Sequence, residues 1–282
     1  MKALVMDWGI GGLPCFLHLG EALKSRSCAV SCFYFSDAGY RPYGLLSAEE
    51  MRCRVVEVVD YFTPDVLVIA CNAASVRFAI DGLSLLRQGK TLVFGMAKAA
   101  GRGLRMLLNA DSAESPSILL LGGRATVESG YFQNLLGERV QARVAQPLSA
   151  LVERGLLDGP EVEVTLHKLL APSHGENYPT ERLLALCCTH YPALSPLIRQ
   201  LYPELRLFDP MLGLVEEVVR WLDVQGGLVG ASRGRALVSS SKNGQLFTTG
   251  SRGNLCMSAK VAFGYVVPSD QVHDCLPLRS TI

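Results

Sequence analysis

The chain has 282 residues, of which 49% are hydrophobic and 19% are charged, and its formal net charge is +1. This composition is typical of one large or two medium globular domains with buried cores, and it excludes an intrinsically disordered chain. A net charge so close to zero, with no basic stripe of residues, gives no electrostatic attraction for nucleic acid or for an anionic membrane.

The first residues run directly into a predicted strand at 2–6, which Asp7 follows. A signal peptide would need a basic start and a longer apolar core before its cleavage site. No apolar stretch of the sequence reaches the roughly 18 to 20 residues of a membrane-spanning helix. We therefore expect a cytoplasmic protein.

A glycine-rich turn, Gly9 to Gly12, separates this strand from a predicted helix that extends to Leu23. Glycines between a strand and a helix let backbone N–H groups face an anion. The glycine spacing departs from the dinucleotide-binding pattern, and Asp37 lies further along than the about 20 positions at which that pattern wants an acidic residue. Nucleotide binding is therefore the weaker interpretation of the turn.

Strand-like and helix-like segments then alternate. Strands are predicted at 32–35, 66–70 and 91–94, and helices after Ser47, after about Ala73 and through 95–108. Ser47 is a suitable N-cap, because the acidic residues that follow it are favoured by the helix dipole. Lys98, Arg102 and Arg105 are predicted to lie on the outer side of the helix in 95–108.

The pattern restarts after a polar segment at 109–117. Strands are predicted at 118–121, 141–145, 183–186 and 205–208, and helices at 127–136, 147–155, 162–170 and 194–202. A helix at 214–223, a glycine- and serine-rich connection, a strand at 245–250 and an apolar helix or strand at 261–267 complete the chain. Two such series predict an α/β fold with mostly parallel sheets and a structural pseudo-repeat.

Two of the predicted strands end in a cysteine that small polar residues follow. Residues 66–70 lead into Cys71 and Asn72, and residues 183–187 lead into Cys188 and Thr189. Apolar runs of this length are typical of strands buried on both faces of a parallel sheet, and ligands bind beyond the carboxyl ends of such strands. The two cysteines are therefore predicted to share one site.

The chain has nine cysteines, and each one taken alone is best interpreted as a small buried hydrophobic residue. Their odd number and irregular spacing argue against a disulfide framework. Cys28 and Cys32 are not accompanied by a second pair of ligands, so we predict no metal site.

Two facing thiols can invert a stereocentre without a cofactor. One thiolate would remove a proton from a carbon acid while the other thiol returns a proton to the opposite face, and thiol pKa values suit both tasks. The dipole of the following helix is expected to lower those pKa values, and His190 is placed to tune Cys188. The rival chemistry, a single nucleophilic cysteine with a histidine base, leaves Cys71 and Asn72 without a role.

These motifs resemble the cofactor-independent aspartate/glutamate racemase family over most of the chain. The resemblance rests on the segments 7–13 (Asp-Trp-Gly-Ile-Gly-Gly-Leu), 42–44 (Pro-Tyr-Gly), 71–75 (Cys-Asn-Ala-Ala-Ser), 126–131, 147–153, 188–192 (Cys-Thr-His-Tyr-Pro) and 247–250 (Phe-Thr-Thr-Gly). It implies two pseudo-symmetric, flavodoxin-like, three-layer α/β domains with the active site in the cleft between them. The implied domains are residues 1–97 with 209–282, and residues 98–208.

The resemblance also implies interconversion of L- and D-glutamate for peptidoglycan synthesis, without cofactor or metal, in a protein that can form a homodimer. It implies that Cys71 and Cys188 carry protons, assisted by Asp7, Glu153 and His190. The residues that it implies for holding the amino acid are Trp8, Pro42, Tyr43, Gly44, Asn72, Ala73 and Thr189. Some members have an N-terminal extension through which a cell-wall precursor activates them, and we expect no such regulation here because the chain starts at its first predicted strand.

Three positions depart from the family pattern. The family usually has Ser at the position of Trp8 and Thr at that of Ala73, and often Thr at that of Gly123. Each hydrogen bond lost to a charged substrate would cost about 1.5–3 kcal/mol. We therefore expect altered substrate recognition with the proton-transfer residues intact. The alternatives are a relative that acts on another amino acid, such as aspartate, and a homologue that binds without turnover.

Overall fold

The structure is a computed structural model that describes residues 1–26, 30–81, 91–110, 118–171, 182–229 and 245–275. Cys28, most of the polar segment at 109–117 and the glycine- and serine-rich connection lie outside these ranges. None of the helices within them combines the length and the apolar character needed to cross a bilayer.

Strands and α-helices alternate through the described ranges and confirm the predicted α/β class. The strands are β1 (Lys2–Asp7), β2 (Ser31–Ser36), β3 (Val66–Ile69), β4 (Leu92–Gly95), β5 (Ile118–Gly122), β6 (Val140–Val144), β7 (Arg182–Cys187), β8 (Leu205–Phe208), β9 (Gln245–Thr248) and β10 (Val272–Asp274). The helices are α1 (Leu13–Ser25), α2 (Ala48–Phe62), α3 (Asn72–Asp81), α4 (Met96–Ala110), α5 (Arg124–Glu128), α6 (Tyr131–Leu136), α7 (Gln146–Glu153), α8 (Pro160–Leu170), α9 (Ser195–Leu201), α10 (Met211–Val229) and α11 (Arg252–Phe263).

The first sheet has six strands in the order β10-β9-β2-β1-β3-β4, and every neighbouring pair is parallel. Its central strands β1 and β3 are almost wholly buried. Helices on both faces leave no solvent-facing side for polar residues, which explains why these strands are continuous apolar runs. Their carboxyl ends lie at one edge of the sheet.

The second sheet has four parallel strands in the order β6-β5-β7-β8. Its central strands β5 and β7 are again apolar runs, and β7 ends at Cys187, immediately before Cys188. Strands β1–β4, β9 and β10 form one sheet, and strands β5–β8 form the other. The exact domain boundaries at 97/98 and 208/209 stay a prediction.

One cluster of buried apolar side chains extends through both halves. It includes Val5 and Val68 of the first sheet and Leu119 and Leu184 of the second. Burial of such side chains contributes about 25 cal/mol for each Å² of apolar surface removed from water. The halves are therefore joined by a shared core.

Several elements differ from the sequence-based predictions. The helix predicted at 127–136 is two helices, α5 and α6, because Gly130 between them has a left-handed φ of +67°. The helix predicted at 194–202 begins with a 3-10 turn, Tyr191–Leu194, and α9 follows it. The prediction also ended α10 too early and missed β10, which has only three residues. At 261–267 the chain is the end of α11, which Gly264 terminates with φ +71°.

The predicted cap of α2 is confirmed as a capping box. The Ser47 Oγ atom accepts the Glu50 N–H at 3.1 Å, and the Glu50 carboxylate accepts the Ser47 N–H at 2.7 Å. This fixes where α2 starts, one turn after the Pro-Tyr-Gly segment. The start of the helix therefore also determines where the preceding loop must end.

Candidate active site

Three strand ends bring the two predicted proton carriers and one assisting carboxyl group to one place. Asp7 is the last residue of β1, Cys71 follows the adjacent parallel strand β3, and Cys188 follows β7 of the second sheet. Carboxyl ends of neighbouring parallel strands share one edge of a sheet, so Asp7 and Cys71 are brought side by side. The site is thus assembled from both halves of the chain.

The glycine turn after β1 lies directly against the second half. A Cβ atom on Gly9 would overlap Glu153 Oε1, and a Cβ atom on Gly11 would overlap the Thr189 side chain, with the Thr189 Cβ atom at 2.7 Å. Only glycine leaves room for this approach. The turn therefore touches the residues around the second cysteine.

A buried tyrosine anchors each of the two facing loops. The Tyr34 hydroxyl donates to the Gly9 carbonyl at 2.6 Å, and the Tyr191 hydroxyl donates to the Ala145 carbonyl at 2.8 Å. Both rings are buried, so each hydroxyl satisfies a carbonyl that water cannot reach. These two hydrogen bonds fix the loops at Gly9 and at Tyr191 on the two sides of the site.

Cys188, His190 and Glu153 form a chain of polar contacts. The distance from Cys188 Sγ to His190 Nδ1 is 3.7 Å, and that from His190 Nε2 to Glu153 Oε1 is 2.5 Å. Burial alone would lower the pKa of His190, but the contacts with Cys188 and Glu153 outweigh it and raise the pKa well above its ordinary value. The imidazole therefore links the second cysteine to a carboxylate of α7.

The thiol of Cys71 lies near a carboxylate, whereas that of Cys188 lies near an imidazole. Burial and the negative charge of Asp7 raise the pKa of the Cys71 thiol well above its ordinary value, although the backbone N–H groups of Ala73 and Ala74 act to lower it. The expectation that the helix dipole lowers this pKa is therefore wrong for Cys71, because desolvation and a neighbouring carboxylate are stronger.

The carboxyl group of Asp7 is itself almost completely buried. Burial raises the pKa of Asp7, while the charge of His190 and the nearby Thr189, Trp8 N–H and Cys71 groups act to lower it. The charge of Cys188 in turn contributes to the raised pKa of Cys71. Groups from both halves therefore form one electrostatic unit.

The residues predicted to hold the amino acid differ in their contacts, because some of them are hydrogen-bonded to the protein and others face open space. Tyr43 is buried and donates its hydroxyl proton to Asp37 Oδ2 at 2.8 Å, and the Trp8 indole N–H donates to the Tyr40 carbonyl at 2.9 Å. Gly44 has no atom within 4 Å of the place where its Cβ would be, and it follows Pro42 and Tyr43 in the same loop. The polar atom of Trp8 is thus occupied by the protein.

Two buried oxygen atoms of the site have no hydrogen-bond partner among the described residues. They are Asp7 Oδ2 and Asn72 Oδ1, the latter at the start of α3 beside the half-buried Ala73. Buried acceptors without donors are rare and each needs an explanation. Two at one site are suited to a ligand that brings N–H donors.

A cavity of about 150 Å³ borders this site on the side of α1. Asn72, Cys188 and Thr189 contribute to its wall together with Gly11, and it continues toward His18 and the residues that begin α10. Within the described ranges, no group of three or more His, Cys, Asp and Glu side chains is placed to hold a metal ion. The cavity therefore gives access to one of the two cysteines.

A set of residues around the Pro-Tyr-Gly loop was missed by the sequence analysis. They are Asp37, Arg54 and Thr249, of which Arg54 and Thr249 each donate hydrogen bonds to Asp37. A signal was present, because Arg54 lies on the same face of α2 as the buried Met51, Val55 and Val58, where an apolar residue is expected.

Comparison with known proteins gives consistent matches over most of the chain. No family model matches. The glutamate racemase of Thermus thermophilus is 31% identical over 237 residues, which are 83% of this chain and 84% of that protein. The glutamate racemase of Carboxydothermus hydrogenoformans is 27% identical over 278 residues, covering 96% of this chain and 95% of that protein.

The fold is likewise similar to that of solved structures. The crystal structure of glutamate racemase from Thermus thermophilus in complex with β-chloro-D-alanine matches with a TM-score of 0.72 and 27% identity, covering 98% of this chain and 97% of that one. The match includes both sheets and the elements between them. It agrees with the two-sheet architecture described above.

Proposed function

The chain belongs to the cofactor-independent aspartate/glutamate racemase family, and on that basis we propose that it is a glutamate racemase that interconverts L- and D-glutamate. The observation that carries the proposal is the pair Cys71 and Cys188, which follow strands of different sheets and lie close enough for the charge of Cys188 to raise the pKa of Cys71. Two proton carriers on opposite sides of a carbon atom are what inversion of a stereocentre needs.

The proposed reaction consists of two proton transfers at Cα. In one direction Cys71, as a thiolate, takes the Cα proton, and the electron pair of the broken C–H bond stays on Cα. The Cys188 thiol then gives its proton to the opposite face, and that electron pair forms the new C–H bond. In the other direction the two cysteines exchange roles, so no proton is gained or lost overall.

A neighbouring titratable group assists proton transfer at each of the two thiols. Asp7 acts on Cys71, since burial raises the pKa of the Asp7 carboxyl and makes it a stronger base, and Oδ2 is not engaged by the protein's described residues. His190 acts on Cys188, and Glu153 holds the imidazole by accepting from Nε2. Each thiol is therefore paired with a different kind of titratable group, a carboxyl group for Cys71 and an imidazole for Cys188.

The amino acid is held by groups close to the two thiols. The unpaired Asn72 Oδ1 atom is suited to the ammonium group, and Thr189 offers a hydroxyl in the same cavity wall. Pro42, Tyr43, Gly44, Trp8 and Ala73 form the remaining wall in this proposal. The D-glutamate produced would serve peptidoglycan synthesis in the cytoplasm.

The test is exchange of the glutamate Cα proton in D2O. We expect deuterium to enter Cα with inversion of configuration, and Cys71→Ser and Cys188→Ser each to abolish racemisation. Thr165→Val, on the exposed face of α8, is the control for effects of a substitution outside the site. Full activity of either serine variant would exclude the two-thiol scheme.

A second candidate is racemisation of another amino acid, such as aspartate. It is supported by Trp8, whose N–H is occupied by the Tyr40 carbonyl and so cannot replace the hydroxyl that the family usually has at this position. Ala73 and Gly123 likewise bring no hydroxyl. Exchange with aspartate but not with glutamate would favour this candidate, and Trp8→Ser should then raise exchange with glutamate. Exchange with neither amino acid would favour a homologue without turnover.

A further inference from the structure

A buried ion pair lies beneath the Pro-Tyr-Gly loop. Arg54 Nε donates to Asp37 Oδ2 at 2.7 Å, and Arg54 Nη2 donates to Asp37 Oδ1 at 2.6 Å. Neither side chain has any exposed surface. The planar guanidinium makes a two-point contact, so it fixes the orientation of the carboxylate as well as its position.

Asp37 also accepts hydrogen bonds from residues that follow two strands, β2 and β9. Its Oδ2 atom also accepts the Tyr43 hydroxyl at 2.8 Å, and its Oδ1 atom accepts the Thr249 hydroxyl at 2.9 Å. The Thr249 oxygen in turn accepts the Gly39 N–H at 3.0 Å. The loop after β2 and the turn after β9 are thereby tied to one carboxylate.

The same network reaches Trp8 and Asp7. The Arg54 guanidinium lies over the Tyr40 ring, 4.2 Å from its centre, and the Tyr40 carbonyl accepts the Trp8 indole N–H. The Asp37 N–H donates to the Asp7 carbonyl at 3.0 Å. The Arg54–Asp37 pair therefore holds both Trp8, which follows Asp7, and the loop at 40–44.

Stability alone does not account for a buried pair of this kind. Replacing a buried ion pair by apolar side chains of similar volume is often neutral or stabilising, because the charges must be removed from water. Arg54 lies on the apolar face of α2, where an aliphatic residue would pack against Met51 and Val58. What an aliphatic residue would not supply is the fixed direction of Asp37.

We propose that Arg54, through Asp37 and Thr249, is a positioning residue that sets loop 40–44 and Trp8 for substrate binding. The inference rests on the proposed racemase function, since these residues form one wall of the amino-acid site there. Arg54 is buried and therefore acts on the site only through the residues that it contacts. Its effect must therefore appear in substrate binding more than in proton transfer.

The first test compares Thr249→Val with Thr249→Ser. Valine keeps the shape of threonine but removes the hydroxyl that joins Asp37 to Gly39, whereas serine keeps it. We expect Thr249→Val to raise KM roughly tenfold with kcat changed by less than about threefold. We expect Thr249→Ser and the surface control Thr165→Val to have KM values close to that of the wild type.

The second test reads the position of Trp8 without any turnover. Trp8 and Trp221 are the two tryptophans of the chain, so Trp221→Phe leaves Trp8 as the single fluorescent indole. In that background we expect Arg54→Met and Thr249→Val to make Trp8 about twofold or more accessible to the quencher acrylamide, because the Tyr40 carbonyl is no longer held. Thr249→Ser should leave quenching unchanged.

The two readouts separate this inference from the proposed function. A wild-type protein that exchanges neither glutamate nor aspartate contradicts the proposed function, and Trp8 quenching then decides the inference by itself. Unchanged quenching in both Arg54→Met and Thr249→Val overturns the inference, even if the enzyme is active. A fall in kcat at unchanged KM also overturns it, since that result places the network in the proton transfer.

Discussion

At the scale of single residues, His190 stands between a sulfur atom and a carboxylate. Its pKa is raised well above the ordinary value because the contacts with Cys188 and Glu153 outweigh the effect of burial. A group whose pKa is higher in the folded than in the unfolded state stabilises the fold fully below the unfolded pKa. That stabilisation is lost as the pH rises through the folded pKa.

We therefore expect His190→Asn to be more destabilising at pH 6 than at alkaline pH. The unfolded histidine titrates near pH 6.5, so the difference in the free energy of unfolding between wild type and variant should shrink steadily above that value. Urea unfolding at a series of pH values measures it. His273→Asn, at an exposed position of β10, is the control. A difference that grows with pH would contradict the assignment of charge to His190.

Asp7 has the same sign of pH dependence as His190, because its pKa is also raised, but here the ionised form destabilises the fold. Burial raises the pKa of its carboxyl group, so the folded state binds a proton more tightly than the unfolded one, and the ionised carboxylate destabilises the fold above its ordinary pKa. We expect Asp7→Asn to unfold at an equal or higher temperature than the wild type at pH 7. The same variant should lose roughly a hundredfold or more in exchange rate, as expected for loss of a proton acceptor. A variant that is both less stable and fully active would contradict this role.

At the scale of elements, the turn from β1 to α1 is shaped by what lies opposite it. Gly11 touches Thr189 so closely that no Cβ atom fits, whereas Gly20, within α1, has nothing within 4 Å of its Cβ position. We expect Gly11→Ala to destabilise the protein by roughly 1–3 kcal/mol through overpacking, and to lower the exchange rate by displacing Thr189.

Gly20→Ala is the matched control, and its expected effect is a stabilisation of about 0.5–1 kcal/mol, because alanine favours a helix interior. Urea unfolding of both variants checks the pair. Equal effects at the two positions would show that the contact with Thr189 is unimportant.

The break between α5 and α6 supports a second prediction at this scale. Gly130 has φ +67°, a conformation that costs an alanine roughly 1–2 kcal/mol. We expect Gly130→Ala to be destabilised by about that amount, and Gly130→Asn by less, since asparagine tolerates the left-handed region. Thermal unfolding distinguishes them, and an unchanged melting temperature for Gly130→Ala would contradict the left-handed assignment.

The elements also show what could be predicted from the sequence and what could not. Strands such as β3 and β5 were predictable because burial on both faces demands an unbroken apolar run. The split at Gly130 was not, since a single glycine is compatible with a continuous helix. The three-residue strand β10 has too few positions to show a pattern.

The candidate site was predictable to a similar degree. The positions of Cys71 and Cys188 beyond two strands could be predicted from the apolar runs before them, while their role as proton carriers stays a prediction. The pKa of Cys71 could not be predicted, since it depends on how deeply the thiol and Asp7 are buried together. The ion pair of Asp37 and Arg54 joins residues 17 positions apart through a loop and a helix, and only the tertiary fold brings them together.

At the scale of the whole molecule, the site is built from two halves that share one apolar core. A ligand that contacts both halves should therefore stabilise the complete chain in a single transition. At one hundred times its dissociation constant, glutamate should add about 2.7 kcal/mol to the free energy of unfolding. Thermal unfolding with D- or L-glutamate, compared with aspartate and with lysine as a control, measures this. Stabilisation by lysine alone would contradict an acidic amino acid as the substrate.

The contact between the glycine turn and the loop of Cys188 has a consequence for recombination among relatives. A chimera that takes one half from this chain and the other from a homologue brings together two surfaces that were shaped separately. The backbone at Gly9 and Gly11 occupies the space that Glu153 and Thr189 leave free. Working hybrids should therefore be those that inherit both sides of this contact from the same parent, wherever else the crossover falls.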